Sequence, residues 1–221
     1  MKPLRGRTAV FIGARTVSNT AYRMVYPFLP VLGRALGVDL ATMSLALSAR
    51  AASGALGPLL APLTDRRGRR FGLSLGLGLF AAGAFLAAVG PGFTVFAAAL
   101  VLMTVGKYVL DPAILAHLSD IVPYERRGRA LALTELSWSL AFLLGVPAAG
   151  FLIARWGWRS PFLALGGLGL AGLLAIEAAA GRRGIRRADL ADGPGEPGRG
   201  AGHRESYLAV LRSPAALAGI G

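Results

Sequence analysis

Six ionisable side chains stand inside long apolar stretches of this sequence: Arg15, Arg23, Arg50, Lys107, Asp111 and Glu135. Each interrupts a run long enough to form a helix across a lipid bilayer, where an unpaired charge costs about 2.5–3.5 kcal/mol. Such groups turn away from lipid, towards one another or towards water, and mark routes for ions and solutes. Two chemistries suit them. A carboxylate whose surroundings alternate between wet and dry can take up and release a proton, which makes Glu135 and Asp111 proton carriers. Cations inside the bilayer need counter-ions, so Arg23, Arg50 and Lys107, together with the amide of Asn19, can hold a solute.

Glu135 is the preferred carrier, because its own helix offers it no partner. Asp111 stands four residues after Lys107, on the same helical face. That pair either neutralises itself or takes part in solute binding. Arg15 lies closer to a helix end and can instead snorkel to the surface. Tyr22 and Tyr26 add hydrogen-bonding groups to the same helix, and His117 reads as a solvated end residue. Four inward cations against two carboxylates leave two positive charges over, which favours an anionic solute.

The elements that must position these groups are membrane helices. The 221-residue chain is 54% hydrophobic with only 16% charged residues and 31 glycines, and its mean hydropathy is +0.57. Those values suit a membrane protein better than a soluble domain. A bilayer core needs roughly 20 helical residues, and on that ruler spans fall at 8–32, 41–63, 71–90, 94–117, 131–153 and 160–181. Charges occur in spans 1, 2, 4 and 5, while span 3 has none and span 6 has only Glu177 near one end. Spans 1, 2, 4 and 5 are therefore expected inside, and spans 3 and 6 against lipid.

The net charge of +13 does not imply nucleic acid, because the arginines form short blocks between apolar runs without interleaved aromatics. Of 24 Lys and Arg residues, four lie in spans, three (Arg34, Arg155, Arg159) in one set of connections, and the remaining seventeen in the other set and the two ends. By the positive-inside rule both ends lie in the cytoplasm of a plasma (inner) membrane. The basic start, Met1 to Arg7, leads into an uncleaved first span.

After Gly181 the composition turns to Gly, Pro and charge. Residues 182–213 read as a cytoplasmic linker, and 214–221 as the first turns of a seventh span. With no cysteine, disulfides and thiol chemistry are excluded. No Gly-x-Ser-x-Gly, phosphate loop or metal-spaced His/Asp cluster appears, so no enzyme activity and no cofactor or metal are expected. A membrane enzyme acting on lipid head groups is the competing class, but it calls for clustered carboxylates or a His-rich loop.

One stretch is more specific. Ala61-Pro-Leu-Thr-Asp65-Arg66-Arg67-Gly68-Arg69-Arg70 separates spans 2 and 3. It resembles the G-x-L-A-D-R-x-G-R-R signature of the major facilitator superfamily, departing from it at Ala61 and Thr64. Between spans 4 and 5, Pro123-Tyr-Glu125-Arg126-Arg127-Gly128-Arg129-Ala130 is similar to the corresponding loop of the second three-helix unit. Gly145-Val-Pro147-Ala-Ala-Gly150 is similar to the antiporter signature, with one residue between Gly145 and Pro147 and Phe151 at the last Gly. Trp156-Gly-Trp158-Arg159-Ser-Pro161-Phe162 is similar to the family's Gly-Trp-Arg-x-x-Phe.

The resemblance implies an all-α membrane protein: a six-helix bundle of two three-helix repeats, the amino-terminal half of a twelve-helix transporter. It implies gating by Asp65, Arg66, Gly68, Arg69 and Arg70; at the inner end of span 2, Asp65 can then hold arginines of the next loop, notably Arg129, or the positive end of a neighbouring helix. It also implies alternating access for a small solute, proton-coupled efflux as the mode, and a missing carboxy-terminal half as partner. The alternatives are a truncated half-transporter or a non-transporting assembly unit.

Overall fold

Pro27 and Pro30 decide the first departure from these spans. Neither has a backbone N–H, and two prolines three residues apart remove two helical hydrogen bonds, which favours a break before residue 32. In the computed structural model, which describes residues 2–57, 60, 67–122 and 124–182, α1 (Lys2–Met24) stops and a short α2 (Leu29–Leu36) follows. The turn between them is closed by Tyr26 N–H donating to Arg23 at 3.3 Å and Leu29 N–H to Tyr26 at 3.4 Å. Gly37 ends α2 at φ 68, a left-handed conformation that glycine adopts without strain. Asp39 then caps α3 (Leu40–Ala52) by accepting from Thr42 N–H at 2.9 Å. The pair α2 and α3 is bent by 110°, and a 3₁₀ turn, Ser53–Leu56, extends α3.

The remaining helices are α4 (Arg69–Val89), α5 (Gly92–Ile121), α6 (Tyr124–Leu140), α7 (Val146–Trp156) and α8 (Ser160–Arg182). A π turn, Ala141–Gly145, joins α6 to α7 without a break. It lies just ahead of Pro147, which has no N–H to donate, and a π turn is one way a helix absorbs such a defect. Gly68, at φ 87, starts α4. The described residues are all-helical, and the chain forms an all-α, multi-pass membrane protein.

Among the described residues, four stretches are long and apolar enough to cross a bilayer: Arg69–Val89, Gly92–Leu118, Thr134–Trp156 and Ser160–Ala178. The bent pair from Leu29 to Leu56 would add a fifth. The α1 helix, at 23 residues, has the length but carries Lys2, Arg5, Arg7, Arg15 and Arg23. Of these, Arg15 is paired inside the bundle.

Burial among the described residues does not follow the charge content of the helices. Charge-free α4 was expected against lipid, yet between residues 71 and 90 only Ala82 and Val89 are exposed. Its glycines explain the burial. A Cβ on Gly76 would stand 2.8 Å from Leu110 N and 2.9 Å from Gly106 O, and one on Gly83 2.8 Å from Met103 N. The α4 and α5 backbones therefore touch, which small residues permit in membrane helices. Around that contact Phe80, Phe96 and Phe162 are fully buried, with Phe96 edge-on to Phe162 at 5.5 Å. As expected, α8 keeps an apolar outer face, at Leu163, Leu168, Leu170 and Leu174. The segment α6–α7, expected inside, exposes Leu136, Phe142, Leu143, Leu144, Phe151 and Trp156. Charge content located the polar cluster, but it did not rank the helices by burial.

Candidate functional site: a buried ion cluster and an aromatic shelf

Asn19 stands four residues after Arg15, Tyr22 and Arg23 three and four after Asn19, and Tyr26 three after Arg23, so they fall along one side of α1 and its following turn. Lys107 and Asp111 share a face of α5. Glu135, Trp138 and Phe142 do the same on α6 and the π turn. These three faces converge.

Arg15 donates through one terminal nitrogen to Glu135 Oε1 at 2.7 Å. Its Nε faces Asp111 Oδ1 at 3.5 Å; neither of those two atoms makes a hydrogen bond, so they are held by charge. Lys107 pairs with Asp111 and donates to Asn19 Oδ1 at 2.7 Å. Asn19 in turn donates from Nδ2 to Ser137 Oγ at 3.0 Å. Arg15, Asn19, Lys107 and Ser137 are all buried. Two cations thus meet two carboxylates, and α1, α5 and α6 are tied together in the bundle interior. The carboxylates differ in access: the Glu135 side chain is 57% exposed, that of Asp111 20%.

The arrangement revises one expectation: Arg15 does not snorkel but is enclosed and doubly paired. Glu135 takes its partner from another helix, as expected of a residue whose own helix offers none. For Lys107 and Asp111 the neutral pair is formed, with Asn19 added to it. Asn19 itself is 0% exposed and its amide is engaged at both ends.

Beside this cluster, Arg50 donates to Tyr22 O at 2.8 Å and lies 3.7 Å above the Tyr22 ring and 5.3 Å from that of Tyr26. Arg23 is exposed, 4.8 Å over Trp138 and 5.7 Å from Phe142. Lys107 Nζ also stands 4.8 Å from Trp138. A guanidinium over an aromatic face is stabilised by the ring quadrupole. Trp138, Phe142 and Ser137 were absent from the sequence reading. The available signal was their spacing from Glu135, which puts Trp138 and Phe142 on its helical face. His117 is not simply an end residue in water, since it stacks edge-on with Phe11 at 5.2 Å.

Of the expected gating residues, Asp65 and Arg66 lie outside the described residues, as does the side chain of Arg129. Gly68 turns the chain into α4, Arg69 is exposed, and Arg70 pairs with Glu177. Ser74 also donates to Glu177. A separate crevice of about 270 Å³ between α1, the π turn, α7 and α8 is lined by Thr16, Thr20, Leu144, Ala148, Leu152 and Leu165, among others, with no charged side chain. The polar chemistry is elsewhere.

Residues 11–220 match the family model of the Major Facilitator Superfamily, and the chain belongs to that family. It is 32% identical over 138 residues to the uncharacterized MFS-type transporter YwfA of Bacillus subtilis, covering 61% of this chain and 34% of that protein. Against the inner membrane transport protein YdhP of Escherichia coli K12 the identity is 29%, covering 76% and 43%. Against the quinolone resistance protein NorA of Staphylococcus aureus Mu50 it is 28%, covering 66% and 38%. The chain thus spans less than half the length of these relatives. Among solved structures, the peptide transporter POT in complex with sulfate aligns at TM-score 0.66 and 18% identity, over 96% of this chain and 44% of that one. The POT family transporter PepTSo aligns at 0.68 and 14%, over 79% and 37%. At such identity these two structures establish the fold.

Proposed function

We propose that this chain forms the first half of a secondary active transporter that expels a small solute in exchange for protons by alternating access. The observation that carries the reading is Arg15 holding Glu135 and Asp111 from two other helices. A proton arriving at half-exposed Glu135 removes one of the two negative charges facing Arg15. That weakens the tie between α1 and α6, so protonation and helix movement become linked. A second six-helix half covers the apolar face of α6–α7, and the solute binds near the midplane between the halves. Arg23 meets the solute first, being exposed. Arg50, Lys107 and Asn19 stand behind it.

Asp65, Arg66, Gly68, Arg69 and Arg70, with Arg129, act as the gate at the basic end of the bundle. The excess of Lys and Arg at that end supports a cytoplasmic location for it and for both termini, in an inner membrane. Relatives named for quinolone resistance and inner membrane transport support efflux and this location.

The test uses the native full-length protein in proteoliposomes with an imposed pH gradient and a quinolone as trial solute. Wild type should accumulate it against its gradient. Glu135→Gln should abolish gradient-driven accumulation while leaving solute exchange at equal pH. If Glu135→Gln and Asp111→Asn both keep the wild-type response to the pH gradient, proton coupling at this cluster is wrong.

A further inference from the structure

The two carboxylates of the cluster are used up on Arg15 and Lys107. Among the described residues no carboxylate pairs with Arg23 or Arg50; aromatic rings lie beside both, and Arg50 also donates to a carbonyl. Two positive charges therefore remain, and they sit in a group of four rings. Tyr22 lies 6.5 Å from Tyr26 and 6.4 Å, edge-on, from Trp138. Phe142 and Tyr26 are more than half exposed, at 59% and 51%.

Arg23 lies 4.8 Å over Trp138, and among the described residues its side chain makes no hydrogen bond, so its N–H donors stay available. Those donors match a carboxylate in a two-pronged arrangement. Phe142 and Tyr26 offer exposed ring surface beside it, and ring–ring contacts favour a second flat ring in offset or edge-on geometry. Arg50, buried against Tyr22, contributes fixed positive charge that repels a cationic ligand.

We infer that this shelf binds an aromatic anion, a flat ring system carrying a carboxylate, with Arg23 pairing the acid and Phe142, Tyr26 and Trp138 receiving the ring. This rests on the transporter reading for its biological meaning, since it names the class of solute. As a binding property it stands by itself.

Calorimetric titration of the full-length protein in detergent decides it, with three probes: 1-naphthoate, cyclohexanecarboxylate and protonated 1-naphthylmethylamine. The expected result is 1-naphthoate binding at least tenfold tighter than either of the others. Arg23→Gln should weaken 1-naphthoate at least tenfold, with partial recovery in Arg23→Lys. Phe142→Leu should bring 1-naphthoate and cyclohexanecarboxylate close to equal affinity, and Phe142 is exposed enough for this change to be tolerated. Preference for the amine, or 1-naphthoate binding unaltered by Arg23→Gln, overturns the inference. The two readings separate cleanly. Naphthoate binding without proton-linked transport retains this inference and removes the other, whereas proton-linked transport with preference for the amine does the reverse.

Discussion

Arg15 and Glu135, 120 residues apart in the chain, meet in a 2.7 Å ion pair that ties α1 to α6. The same guanidinium faces Asp111 on α5, so one buried side chain joins three helices. Removing it strands Asp111 with Lys107 alone and leaves Glu135 without its partner. Arg15→Leu should cost about 3 kcal/mol of stability, at the low end for broken buried pairs because Glu135 is half open to solvent. Adding Glu135→Gln should restore at least about 1 kcal/mol, as coupled neighbours are not additive. Denaturant unfolding in mixed micelles measures both; strict additivity of the two changes would show that the pair carries no coupling.

Gly76 and Gly78 make a matched control for helix contact. A Cβ at Gly76 would press on the α5 backbone, whereas one at Gly78 meets nothing within 4 Å. Gly76→Ala should therefore destabilise by about 1–3 kcal/mol through overpacking. Gly78→Ala should stay within about 0.5 kcal/mol of wild type, as surface changes do. Equal behaviour of the two variants would mean that α4 and α5 are not in backbone contact.

Asp39 gives a pH-dependent helix start. Hydrogen bonding from the Thr42 side chain, and then from its backbone N–H, holds the Asp39 carboxyl below the usual aspartate range. A carboxyl depressed in the folded state stabilises above its unfolded value and loses that contribution as pH falls towards its folded one. Amide exchange at the start of α3 should speed up, relative to the intrinsic rate, as the solution is acidified through that range. Asp39→Asn keeps a capping oxygen without a titrating group, so its protection should not vary over the same interval.

Glu177, near the end of α8, accepts from Arg70 and Ser74 at the start of α4. Both partners of the ion pair are substantially exposed, so screening by salt limits what it adds. Glu177→Gln should leave the thermal midpoint nearly unchanged but flatten its dependence on sodium chloride. A large fall in the midpoint at every salt concentration would assign Glu177 a packing role instead.

The sequence by itself determined that this is an all-helical membrane protein of the superfamily. A charge within twenty apolar residues stands out without knowledge of any neighbour, and the loop at 61–70 is a local pattern. Lys107 with Asp111 was legible for the same reason, since a helix places residues four apart together whatever surrounds it. Only the tertiary structure decided the partners. Arg15 with Glu135, Lys107 with Asn19 and Arg23 with Trp138 depend on how helices cross, and nothing within one helix encodes a crossing. The burial of α4 was misread because absence of charge describes what a helix tolerates around it. The closeness of its approach to α5 came from glycines, whose effect appears only when a second backbone occupies the space they leave.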